Sequence, residues 1–310
     1  MHPAAAQPSR IVVCIHGFGG FRWQLVPLAS SLKRCGFNVY NYGYAARKHT
    51  LEEHGLHLAA FLASIATESG LRSDAFPTRL GSISFVTHSF GGVVLREALT
   101  GTAWHTARLT PEAARRGRAV CLGPPFGGVA LARALRHREA HGRMPYRIIE
   151  RLARTLLGPA AGRELLEMPA EWFLRRGGMP DSMPVLVIAG DMGPINPLIT
   201  RTRSPEVRSQ ESAWGRGQII SSAASEVAPS DGIVGVHETW LPSRHWFLRV
   251  RLPHHMLLYA PSVMEATAQF LLAQGDDALF DYKLAGVAFR NERYKVAGDP
   301  DTEAESTDRR

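Results

Sequence analysis

Between the apolar runs Ile83-Ser84-Phe85 and Val93-Val94-Leu95, the chain reads Val86-Thr87-His88-Ser89-Phe90-Gly91-Gly92. A strand passing into a helix through so few residues leaves room for one sharp turn, with Ser89 at its apex. Such a turn holds its serine at a strained backbone position and pushes the hydroxyl out of the fold. The residues two before and two after must be small, because strand and helix nearly touch there. Gly91 meets this demand, and Thr87 stands where a glycine is more usual. A bare Gly-x-Ser-x-Gly match recurs by chance in Gly/Ser-rich chains, so the strand–turn–helix context gives this one its weight. The bland alternative is a tight turn before a helix, without chemistry.

A nucleophilic serine needs backbone donors for an oxyanion, a base to take its proton, and an acid to orient that base. The chain offers candidates in that setting. The stretch Ile11-Val12-Val13-Cys14-Ile15-His16-Gly17-Phe18-Gly19-Gly20 is an apolar strand ending in a glycine-rich loop that opens a helix. The two expected donors are the N–H groups of Phe90, directly after the serine, and Phe18 in this loop. His16 is read as a brace for the loop rather than as a catalyst. Further on, Pro229-Ser230-Asp231-Gly232-Ile233-Val234 sets Asp231 in a turn before an apolar pair. Its rival is Asp191, directly after the strand Pro184–Gly190, and either residue could be only a turn-forming Asx. Between the last strand and the last helix lies Leu252-Pro253-His254-His255-Met256-Leu257-Leu258. Only one of its two adjacent histidines can be the base.

Together with Leu122-Gly123-Pro124-Pro125-Phe126-Gly127-Gly128, these stretches resemble the α/β-hydrolase lipases and esterases. The similar branch includes small bacterial serine lipases and the GPI inositol-deacylase-like enzymes. The resemblance spans about residues 11–275. It implies an α/β-hydrolase fold: a mostly parallel sheet covered by helices on both faces, with a helical cap insertion. It also implies carboxylic-ester hydrolysis through an acyl-enzyme, on small-molecule or lipid esters, with no cofactor and no metal. The implied triad is Ser89, Asp231 and His255, with Phe18 and Phe90 as the oxyanion hole. His255 is preferred to His254 partly because, in relatives, the catalytic histidine precedes a short polar residue and then apolar ones; here Met256 fills the polar position. Phe126 and Gly128 stand where asparagine and serine are common. The same triad would serve an acyltransferase, thioesterase or amidase. A non-catalytic binding module usually loses the serine or the histidine, and this chain keeps both.

Apolar strands near 11–16, 37–42, 82–88, 118–122, 184–190 and 245–252 alternate with helices near 21–35, 50–69, 91–100 and 261–273. That alternation predicts a parallel sheet buried on both faces, with its site at the C-terminal strand ends. One hydrolase domain is expected over 9–275, with a cap at about 129–180 and a C-terminal extension at 276–310, disordered at its acidic end. Within the cap, Ile148, Ile149, Leu152, Leu156 and Leu157 recur at helical spacing, with Arg147, Arg151 and Arg154 on another face. Residues 191–230, rich in Pro, Ser and Arg, are expected to wrap over the site as an irregular loop.

No run of 18 apolar residues indicates a spanning helix, and Met1–Arg10 lacks the apolar core of a signal peptide. Cys14, Cys35 and Cys121, odd in number and without metal spacing, predict reduced, packed thiols. These features favour the cytoplasm. With 36 basic and 28 acidic residues the chain carries +8. That balance suits peripheral contact with an anionic membrane, or simply an arginine-rich genome. Nucleic acid is disfavoured, since no motif interleaves aromatics with the arginines. Oligomeric state is not legible.

Overall fold

The computed structural model describes residues 10–71, 82–101, 110–129, 160–192, 229–273 and 291–294. The strands are β1 (Ile11–Ile15), β2 (Asn38–Tyr42), β3 (Ile83–His88), β4 (Ala119–Leu122), β5 (Val185–Gly190), β6 (His245–Val250) and β7 (Asn291–Tyr294). They form one sheet in the order β2-β1-β3-β4-β5-β6-β7. The first six are parallel, as the alternation predicts, and β7 pairs antiparallel with β6. The seventh strand falls in the stretch expected only as an extension. Its sequence, Asn-Glu-Arg-Tyr, has no apolar pattern, which is why it was not legible as a strand.

The sheet is apolar on both faces because its strands are apolar at both parities. Ile11, Val13 and Ile15 of β1 face one core, while Val12 and Cys14 face the other; β4 and β5 divide in the same way. The first face is covered by α2 (Leu51–Glu68) and α3 (Phe90–Thr100). The second is covered by α1 (Val26–Arg34) and the last long helix (Pro261–Leu272). Among the described residues, three short helices lie between α3 and that helix: α4 (Glu112–Arg115), α5 (Ala161–Glu167) and α6 (Ala170–Leu174), which makes the last α7. Helix α2 starts where a capping box permits. The Glu53 N–H donates to Thr50 Oγ1 at 3.3 Å, and the Thr50 N–H donates back to Glu53 Oε2 at 2.8 Å. Such reciprocal bonds satisfy donors that the first helical turn leaves orphaned. The basic-faced run 147–157 and most of 191–230 lie outside the described residues.

Helix α3, which begins at the Ser89 turn, is fixed by a buried charge network that sequence pattern did not suggest. Arg96 and Glu97 are both buried. Arg96 Nη1 donates to the Phe126 carbonyl at 3.3 Å, and the guanidinium lies over the Phe126 ring, 5.2 Å from its centroid. Glu97 Oε2 accepts from Arg176 Nε at 3.0 Å, and Arg176 stacks on Trp172 at 3.4 Å. Burial pulls Arg96 down to about 10, with Glu97 opposing the shift. The network clamps α3 to the end of the expected cap through the Glu97–Arg176 pair, while Arg96 meets a carbonyl and an aromatic ring and keeps Nε and Nη2 without a hydrogen-bond partner. Breaking a buried pair by removing one partner typically costs about 3–5 kcal/mol. Glu97→Ala is therefore expected to lower the urea midpoint steeply without changing the slope. Glu112→Ala, at an exposed pair with Arg116, should cost at most about 1 kcal/mol. Equal losses for the two variants would contradict the assignment.

Candidate active site

Ser89 follows β3 directly and has φ 54° and ψ −127°. Among the described residues it is the only non-glycine with positive φ. A side chain held in that region costs of order 1–3 kcal/mol and persists only where surroundings impose it. Here they do. The Ser89 N–H donates to the Leu122 carbonyl at 2.8 Å, anchoring the turn to the end of β4. A Cβ on Gly91 would lie 2.6 Å from the Ile15 carbonyl oxygen and 2.7 Å from that of His16. The small residue two after the serine is thus required by contact with β1. Two before it, Thr87 is accommodated from the helix side, because a Cβ on Gly92 would lie 3.2 Å from Thr87 Oγ1.

The loop after β1 lies against the turn. A Cβ on Gly17 would be 2.9 Å from Ser89 Cβ. The Phe18 and Phe90 rings meet edge to face, centroids 5.5 Å apart, so the two residues expected to supply amides stand together. Phe90 opens α3, and the first N–H groups of a helix have no partner within it. His16 is buried, stacked on Tyr44 at 4.4 Å; the Tyr44 N–H donates to His16 Nε2 at 3.3 Å, and the Tyr44 hydroxyl donates to the His16 carbonyl at 2.9 Å. It sits in the bracing position expected of it.

Asp231 is buried at the end of β5, although it comes from a later segment. The Met192 N–H donates to the Ser230 carbonyl at 2.8 Å, which lays that segment beside the strand end. A Cβ on Gly190 would lie 2.7 Å from Asp231 Cβ. Asp231 Oδ1 accepts from the Ile233 and Val234 N–H groups at 3.0 and 2.8 Å. Oδ2 is 2.6 Å from Nδ1 of His254. The Asx turn expected as the bland alternative is therefore present, and it leaves one oxygen for a histidine. Asp191 is committed elsewhere, accepting from Arg249 Nε at 2.7 Å.

The histidine on Asp231 is His254, not the expected His255. His254 is buried, and its backbone N–H also donates to the Asp231 carbonyl at 3.0 Å. His255 is exposed. The two open a short 3-10 turn, His254–Leu258, in which adjacent side chains diverge by about 120°, so only one can face inward. Gly123, at the end of β4 with φ 55°, lets the ring close in: a Cβ there would lie 3.0 Å from His254 Nδ1. The Leu122–Gly128 stretch thus touches both the serine and the histidine.

His88, the residue before the serine, was not singled out by sequence. It is buried, its ring centroid is 4.7 Å from that of His254, and its Nε2 is 3.2 Å from the His254 carbonyl oxygen. Burial, reinforced by the charge His254 would carry, pushes His88 down to about 3. Burial likewise lowers His54 to about 4, and lowers His16 and His245. Burial pushes the Cys14 and Cys121 thiols up to about 12, so these are inert core groups. Cys35 is exposed, contrary to the expectation that all three are packed. Among the described residues no group of His, Cys, Asp and Glu could hold a metal ion, and no helix is long and apolar enough to cross a membrane.

Neither the family models nor the curated proteins give a match to this sequence. Solved structures do match. The mature form of the Bacillus licheniformis lipase BlEst2 has a TM-score of 0.56 at 18% identity, over 87% of this chain and 94% of that one. Its propeptide form gives 0.57 at 17% identity, over 88% of this chain and 52% of that one. A Listeria innocua gene product gives 0.50 at 15% identity, over 87% and 96%. The chain has the α/β-hydrolase fold.

The four lowered histidines make a pH prediction. They stay neutral when folded, yet titrate near 6.5 when unfolded. Below that value the unfolded chain binds protons that the folded chain refuses, so stability falls with pH. The thermal midpoint should drop between about pH 6.5 and pH 5, before most carboxylates titrate. His54→Gln should flatten that drop relative to the parent, by calorimetry. Parallel curves would contradict it.

Proposed function

We propose that this chain is a serine hydrolase cleaving carboxylic esters through an acyl-enzyme, with Ser89 as nucleophile, His254 as base and Asp231 as acid. The reading rests on one observation: a buried Asp231–His254 pair, joined at 2.6 Å, whose histidine packs on His88, the residue before the strained Ser89. Asp231 holds the tautomer with its proton on Nδ1 and leaves Nε2 as the acceptor. Nε2 takes the Ser89 proton as Oγ attacks the ester carbonyl, and Asp231 stabilises the imidazolium so formed. The Phe18 and Phe90 amides donate to the tetrahedral oxyanion; losing one such donor typically costs about 10²–10³ in rate. Collapse passes the His254 proton to the leaving alcohol and leaves an acyl group on Ser89. Water, deprotonated by the same imidazole, then releases the acid.

The ester is proposed to be presented at a lipid surface. Among the described residues the exposed large apolar side chains are Phe21, Trp23, Val26, Ile233, Met256 and Tyr259. All follow the loops bearing Phe18, Asp231 or His254. Trp23 is 62% exposed, with the Arg22 guanidinium 4.8 Å above its ring. Aromatics beside arginine suit an anionic lipid interface.

Three outcomes are expected. A fluorophosphonate should leave one adduct, on Ser89, and Ser89→Ala should abolish both labelling and ester turnover; an adduct on another serine contradicts the nucleophile. His254→Ala and Asp231→Asn should lower kcat by roughly 10⁴, whereas His255→Ala and Asp191→Asn should leave most of it; the reverse order contradicts the triad. Vesicles with anionic headgroups should co-sediment the protein at about 0.1 M salt and release it at about 1 M, as screening shortens to about 3 Å. Phe21→Ser/Trp23→Ser should not bind them; equal binding by that variant contradicts the surface.

A further inference from the structure

We propose that His88 is a positioning residue: its Nε2–H holds the main chain of His254, and so sets the spacing between the base and the serine. The inference rests on the triad proposed above.

His254 is tethered at three points. Its side chain is bonded to Asp231 Oδ2 at 2.6 Å, and its backbone N–H to the Asp231 carbonyl at 3.0 Å. Its own carbonyl faces His88 Nε2 at 3.2 Å. The first two tethers fix the base relative to the acid. The third ties it to the nucleophile's side of the sheet through the residue covalently joined to Ser89, beside the packing of its ring on Gly123. A carbonyl can only accept, so Nε2 carries the proton in this contact. Burial keeps the ring neutral down to about 3, so it carries one proton, and the carbonyl contact calls for that proton on Nε2. A protonated ring here would oppose the imidazolium that must form on His254, 4.7 Å away between centroids. The other side of His88 is also defined, since a Cβ on Gly17 would lie 3.1 Å from its Nδ1. The ring is therefore wedged between the loop of the proposed oxyanion donors and the loop of the base. A contact at this place acts on geometry in both, without touching the reacting atoms.

Side-chain reach separates positioning from packing. The amide nitrogen of glutamine falls near the place of Nε2, whereas that of asparagine falls short by about one bond. Both are neutral, polar and smaller than histidine. His88→Gln is expected to keep kcat within about threefold of the parent. His88→Asn and His88→Phe are expected to lose about 10- to 100-fold in kcat, with KM unchanged, as for a misplacement of order 1 Å. Fluorophosphonate labelling of Ser89 should slow in the same proportion, since it needs the same base. Thermal midpoints for all three give the control for folding. If His88→Phe does not fold, the Gln/Asn pair alone decides. Equal kcat for Gln and Asn, whether high or low, overturns the proposal, because reach then has no effect. A rise in KM with kcat unchanged also overturns it. His254→Ala, run beside them, separates the two readings: if that variant is fully active the triad itself fails, and if it is inactive while His88→Phe matches the parent, only the positioning role fails.

Discussion

The hydrogen bond between Asp231 and His254 is the contact on which the arrangement of this site depends. It joins a loop that returns to the end of β5 with the loop that leaves β6, and it lies beyond the end of β4, against Gly123. Both partners are buried, so the contact is shielded from bulk solvent. The carboxylate is satisfied on its other oxygen by two backbone N–H groups of its own turn. A buried carboxylate with three donors has little reason to move. The histidine therefore has a fixed support, and the strained Ser89 turn has a fixed neighbour.

Strain at Ser89 is sustained by close contacts on every side. Gly91 touches the β1 carbonyls, the Ser89 N–H is bonded to Leu122, and Gly17 packs on the serine Cβ. Helix α3 is then held from its far side by Arg96, Glu97 and Arg176. This is the usual division in a working fold. A rigid parallel sheet supplies position, and loops at its C-terminal edge supply chemistry. Burial keeps His16, His54 and His88 near the turn below the ordinary histidine range.

Much of this was legible in the sequence, for definite reasons. Strands buried on both faces are apolar at most positions, so β1, β4 and β5 stand out from the helices between them, and β3 does so through Ile83, Phe85 and Val86. The serine turn and the Phe18 loop are local motifs, read from adjacent residues. The choice between His254 and His255 was not local. It depends on which side chain of a 3-10 turn faces inward, and that is set by Gly123 and Asp231, far away in sequence. The preference for Asp231 over Asp191 came from its turn before an apolar pair and from where hydrolases usually set their acid; in the structure Asp231 faces a histidine and Asp191 accepts from Arg249. Arg96 and Glu97 carry no signal in the sequence; their role comes from burial against Phe126 and Arg176. Strand β7 carries no pattern at all, because an edge strand of four polar residues is made by its backbone partner.

The most direct test of the central contact is proton NMR of the free protein. A short imidazole–carboxylate bond deshields the proton on Nδ1, giving an exchangeable resonance far downfield of the amides. This resonance is expected in the parent and in His255→Gln, and it should vanish in His254→Gln and in Asp231→Asn. Its loss in His255→Gln, or its survival in Asp231→Asn, would contradict the pairing of Asp231 with His254 and with it the proposed triad.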